Sequence, residues 1–187
     1  EAPEIIRYKN SYARLLIDIN RNEVLSDQDK MDNYMQARLL TSETIRLDNL
    51  NVEALQHRGR ASYNLAILME KTDSEMARIL FTEALRSYQS LKELEFTNIN
   101  DHIDMALLHK SLNEFEAANE IFLETLSISP DSSRANLLYG FFLIYQNKYE
   151  EAIYYLQKTV ALGEVGYYDD AKRRLEELED KGWIRKE

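Results

Sequence analysis

Three histidines and two carboxylates are the side chains whose types and spacing could do chemistry: His57, His102 and His109, with Asp101 and Asp104 near the last two. His102 and His109 stand seven residues apart, two helical turns, so their imidazoles could share a face near Asp104 and hold a metal ion. No H-E-x-x-H or other helical zinc pattern accompanies them. The G-x-S-x-G, P-loop and G-x-G-x-x-G patterns are missing too, and five glycines are too few to build phosphate cradles. With no cysteine, disulfides and thiolate metal sites are excluded. The acidic pairs Glu150-Glu151 and Glu176-Glu177 fall on polar helix faces, whereas paired-carboxylate catalysis needs two acids facing across a cleft. The expectation is no catalytic residue, no metal and no cofactor. An enzyme on a helical frame, using His102, His109 and Asp104, stands as an alternative.

The elements that would position any site are helices. The 187 residues suffice for one ordinary domain or a short helical array. Composition is 44% hydrophobic and 30% charged with only two prolines, which suits long helices and short connections better than an all-β fold. A net charge of −10 argues against nucleic acid, whose phosphates need a basic footprint, and fits an ordinary solvating surface. No run approaches the roughly 18–20 apolar residues of a spanning helix, so a soluble domain that is not membrane-embedded is expected. The compartment stays open between cytoplasm and periplasm. Glu1 at the head fits a removed signal peptide, a trimmed anchor or an excised domain.

Apolar residues recur at three- and four-residue steps along most of the chain. They predict helices over 3–20, 31–47, 52–70 and from about 74 to Phe96, with Ser26 or Asp27 capping the second and Asp73 or Ser74 the fourth. Shorter helices follow over 101–112, 115–128, 132–145 and 149–162, and Asp131 or Ser132 caps the third of these after Pro130. A last helix over 168–181 carries Tyr168, Ala171, Leu175 and Leu178 on one face and charges elsewhere, as a cap to a stacked array should. Gly59 costs about 1 kcal/mol inside a helix relative to Ala, so its presence points to close helix contact, as does Gly140 among large apolar neighbours.

An aromatic-x-x-Ala signature occurs four times: Tyr34/Ala37, Phe81/Ala84, Phe115/Ala118 and Tyr149/Ala152. The last three alanines are spaced by 34 residues, and Tyr88, Phe122 and Leu156 each follow one by four. With small Ala106 and Gly140 on the first helices and Pro130 closing a repeat, the chain resembles the tetratricopeptide-repeat (TPR) family. The family's usual Trp is replaced by His102 and Asn136, and its late Ala by Thr125 and Thr159. Regular repeats cover 99–132 and 133–162. Elongated or divergent pairs cover 1–48 and 52–96, where the spacing from Ala37 to Ala84 requires longer helices. The resemblance implies a single all-α domain over 1–187: a right-handed α-solenoid of antiparallel helix pairs with a C-terminal capping helix.

It also implies an interaction scaffold or adaptor, holding a peptide segment or partner protein in a concave groove lined by the first helix of each pair. By resemblance the groove falls on Glu53, Gln56, Arg60 and Tyr63, then Asn100, Ile103, Leu107 and Lys110, then Arg134, Leu137, Phe141, Ile144 and Tyr145. It should turn from polar to apolar along the array, and an extended or helical segment with hydrophobic anchors would suit it. The family's clamp for chaperone C-terminal carboxylates is not expected, because its places on the third and fourth pairs hold Ile103, Leu107, Leu137 and Phe141. Leu137, Phe141 and Ile144 could instead pack against a neighbouring pair or the terminal cap, and Trp183 and Ile184 could fold into the groove. A further alternative is self-association of the domain through Trp183 and the apolar groove. Residues 99–132 carry Lys110 against seven acids, the pattern of a solvated outer face or of a surface for a basic partner.

Overall fold

The computed structural model describes residues 2–21, 24–95 and 97–184. Among them nine helices and no strand occur: α1 (Ala2–Ile19), α2 (Asp27–Leu47), α3 (Val52–Met69), α4 (Ser74–Glu93), α5 (Ile99–Ser111), α6 (Phe115–Ile128), α7 (Ser133–Tyr145), α8 (Tyr149–Leu162) and α9 (Tyr167–Asp180). Phe96, the expected end of the fourth helix, lies outside the described residues, as do residues 22–23 of the first connection and 185–187 of the tail. No helix among the described residues is long and apolar enough to cross a membrane.

Side chains at the entries explain where the helices begin. Ser26 caps α2 and accepts from the Asp29 amide while the Asp29 carboxylate accepts in return, a capping box. Asn98 and Asp101 repeat this device at α5, and Asn51, Asp73 and Ser132 cap α3, α4 and α7. The exits of α5 and α7 share one construction. Asn113 and Asn147, both at positive φ, donate to Lys110 and Ile144, and the next amides reach back to His109 and Leu143. This left-handed cap satisfies terminal carbonyls and turns the chain within two residues, 34 residues apart in the two repeats.

The chain divides into two compact units, Glu1–Phe115 and Glu116–Glu187. In the first, α1 packs on α2, α2 on α3, α3 on α4 and α4 on α5, and α1 also touches α3. In the second, α7 packs on α8, α8 on α9, and α7 also reaches α9. Contact between alternate as well as successive helices is what stacked antiparallel pairs produce. The helices of the first two pairs run 18 to 21 residues against 13 or 14 in the next two, which accounts for the wide spacing of their signatures.

Small residues mark the closest approaches. A Cβ on Gly59 would lie 2.9 Å from the Tyr88 ring, and one on Gly140 would lie 2.9 Å from Leu156 Cδ2. Tyr88 and Leu156 are fully buried and have little room to withdraw. Gly59→Ala should therefore destabilise the fold: overpacking of about 1–3 kcal/mol outweighs a gain in helix propensity of about 1 kcal/mol. A urea midpoint above that of the wild type would show that the ring yields.

The departures from the TPR pattern are polar groups with at least one partner each, although His102 Nδ1 and Asn136 Oδ1 stay buried without one among the described residues. Thr125 and Thr159 are buried, and each hydroxyl donates to the carbonyl four residues back, Ile121 and Tyr155. Asn136 is fully buried and its Nδ2 donates to the carbonyls of Pro130 and Ser132. His102 Nε2 lies 3.1 Å from Thr97 Oγ1. Where the family packs an indole, this chain tethers the start of the helix to the loop before it.

Candidate functional site

The expected polar groove positions Glu53, Gln56 and Arg60 stand on α3, and the structure brings α1 beside them. Buried Ala13 and Gly59 are the small residues of these helices. An amide precedes each by three and an arginine follows directly, giving Asn10-Ala13-Arg14 on α1 and Gln56-Gly59-Arg60 on α3. That repeated pattern, which the weaker signature of the first pair conceals, was the available signal for Asn10 and Arg14. In the structure all four polar residues line one pocket of about 360 Å³ with Ser11, Ile17, Asp18, Arg21, Glu53 and His57. A second, larger depression of about 690 Å³ shares Asn10, Ser11 and Glu53 and extends to Arg7 and Asn51.

The pocket is held by its own hydrogen bonds. Asn10 is 3% exposed, and its Nδ2 donates to Asn51 Oδ1 at 2.9 Å and Glu53 Oε2 at 3.2 Å. Because the Glu53 carboxylate only accepts, the amide orientation is fixed, and Asn10 Oδ1 is left buried with no partner among the described residues. Gln56 Nε2 donates to Asp101 Oδ2, which also accepts from the Asn98 amide. Burial pushes the Asp101 carboxyl above the usual carboxylate range. Burial, with Arg60 nearby, holds His57 below the usual imidazole range, so its ring is neutral near pH 7 and the lining cations are arginines. Asp18 lies 3.5 Å from Arg14 and 3.8 Å from Arg21. The half-buried guanidinium of Arg60 forms no ion pair among the described residues.

The remaining expected groove residues are placed differently. Tyr63 is half-buried with its ring 6.0 Å from Phe81, while Leu107 and Lys110 are half-exposed. Ile103 is fully buried, so it supports the fold and offers no surface. In the second unit Arg134 is half-exposed and Tyr145 exposed, but Leu137 is 3% exposed and sits in a core with Leu156, Ala171 and Leu178. Phe141 and Ile144 pack against the same core, and the Arg174 guanidinium lies 5.2 Å above the Phe141 ring. The apolar face of α7 is thus covered by α9, whose own apolar stripe needs it. Ile184 joins this cluster, and Trp183 lies against Tyr149 with ring centroids 4.3 Å apart.

His102 and His109 are not brought into one site. His102 is buried beside Thr97, whereas His109 Nδ1 meets Glu114 at 2.6 Å. The Asp104 carboxyl accepts from the Tyr88 hydroxyl at 3.1 Å. Among the described residues no group of three or more His, Cys, Asp or Glu is arranged to hold a metal ion.

No family model matches the chain. Mouse aspartyl/asparaginyl beta-hydroxylase is 28% identical over 133 residues, which cover 66% of this chain and 18% of that protein. The chain therefore matches less than a fifth of that relative's length. Among solved structures, a MamA double mutant (RS-1 ArsTM) superposes with a TM-score of 0.53 at 13% identity, over 87% of this chain and 90% of its own. YrrB, described as a TPR protein with an unusual peptide-binding site, gives a TM-score of 0.39 at 16% identity over 92% of each chain. The fold of this chain is a TPR-like helical repeat, all-α and of the solenoid class.

Proposed function

We propose that this TPR-like chain is a protein-interaction scaffold that holds a segment of another protein against the first helices of its N-terminal pairs. The observation that carries the reading is the convergence of Gln56 and Arg60, two expected groove positions, with Asn10 and Arg14 on one pocket of about 360 Å³. A concave, polar, partly preformed surface on rigid helices is what a peptide-binding scaffold needs. Tyr63, Leu107 and Lys110 extend the contact along the same unit. Leu137 and Ile103 each hold their own helix in place, and Phe141 is shared with the core.

Affinity capture with Arg60→Glu beside Arg86→Glu, a charge reversal at an exposed α4 position, tests the reading. A partner retained by wild type and Arg86→Glu but lost by Arg60→Glu, with equal helical circular dichroism, is the expected result. Equal retention by both variants would rule out the α1–α3 surface.

The assembly alternative has one observation in its favour. It concerns a surface other than the expected Trp183 and α7 face: Tyr8, Leu15 and Ile19 on α1 and Leu39 on α2 are exposed, and exposed apolar side chains suit an interaction site. A mass that rises with concentration in light scattering, and falls to the monomer in Leu15→Glu, would support it.

A further inference from the structure

We infer that the α1–α3 pocket receives an acidic side chain, Asp or Glu, from within the bound segment, an assignment that rests on the scaffold reading and gives it a chemistry. Arg60 supplies the first argument. Its half-buried guanidinium forms no close ion pair among the described residues, and Asp101 attracts it only through space, so a nearer anion would stabilise it further. Arg14 and Arg21 share the single carboxylate of Asp18 at 3.5 and 3.8 Å, distances too long for tight pairing, so both have donors to spare.

Asn10 supplies the second argument. Asn10 lines this same pocket, its Oδ1 is a buried acceptor without a donor among the described residues, and its orientation is fixed by Glu53. An acidic residue in a peptide carries both complements: a carboxylate for the arginines and a main-chain N–H for an amide oxygen. The neighbouring carboxylates set the charge of the guest. Asp18 and Glu53 also line the pocket, so three arginines face two acids, and a single negative charge is matched where a dianion would be repelled. The pocket volume admits a side chain of this size with its flanking backbone.

The test titrates the full chain, observed by NMR at the Arg60 Nε–H and the Gln56 side-chain amide, with three short probes. These are capped Gly-Glu-Gly, capped Gly-Gln-Gly, and acetyl-Gly-Gly-Gly with a free C-terminal carboxylate. The expected result is that the Glu peptide binds about tenfold tighter than the other two, and that Arg60→Met abolishes the preference. Equal shifts with Glu and Gln peptides would overturn the acidic chemistry while leaving the scaffold reading standing. Equal affinity for the free C-terminus would transfer the pocket from an internal side chain to a chain end, and so overturn this inference. No shift at the pocket with any probe would overturn both readings.

Discussion

Phe122→Ala should lower the stability of the second unit by about 3–5 kcal/mol, the cost of emptying a fully buried aromatic site. Phe122 stands four residues after Ala118, where the repeat places its large apolar side chain. Its ring centroid lies 5.3 Å from Tyr139 and 5.5 Å from Phe142. Tyr139 cannot collapse into the space, because it is anchored from elsewhere. Tyr139 donates to Asn119 Oδ1 at 2.9 Å and stacks edge-on against Tyr155 at 4.7 Å. Tyr139 is itself 3% exposed, and burial, with Tyr155 and Glu151 nearby, pushes its phenol pKa up to about 12. Denaturant unfolding followed by tyrosine fluorescence measures the loss, and a shift below about 1 kcal/mol would mean the ring cluster is not a packing centre.

Tyr88→Ala should have an effect of the same size in the first unit, about 3–5 kcal/mol, since Tyr88 is fully buried with its ring over Gly59. Tyr88→Phe separates packing from hydrogen bonding. It keeps the ring but removes the donor to Asp104 Oδ2, and leaving that buried acceptor short should cost about 1–3 kcal/mol. Burial and the adjacent Asp104 raise the Tyr88 phenol well above its usual range, so the hydroxyl keeps its proton and donates at every pH where the protein folds. Urea midpoints of the two variants at one pH test the partition. A Phe variant as weak as the Ala variant would place the energy in the hydrogen bond rather than the ring.

Most of the architecture was legible because its determinants are local. The predicted spans 115–128 and 149–162 coincide with α6 and α8, and Ser26, Asp73 and Ser132 act as caps, since a capping side chain and an apolar period are written within a few residues. Gly59 and Gly140 announced close helix contacts for the same reason: a Cβ at either position would lie 2.9 Å from a neighbouring side chain.

The site was harder to read. Periodicity puts Leu137 and Phe141 on one face of α7 but cannot say whether solvent, a partner or the chain itself covers that face. The structure places α9 on it. The family resemblance put expected groove positions on Gln56 and Arg60 but none on α1, so Asn10 and Arg14, which line the same pocket and repeat the Gln56 and Arg60 spacing, were missed. The orphaned Asn10 acceptor is invisible in sequence, because it depends on Glu53, a contact 43 residues away.

The most direct measurement places a photoactivatable side chain at Ser11, an exposed residue lining the pocket, and compares it with the same probe at exposed Gln89 on α4. Irradiation in the presence of the partner identified by affinity capture should yield a covalent adduct from position 11, none from position 89, and a lost adduct when Arg60→Glu is added. Adducts formed equally from both positions, or unchanged by Arg60→Glu, would contradict the account.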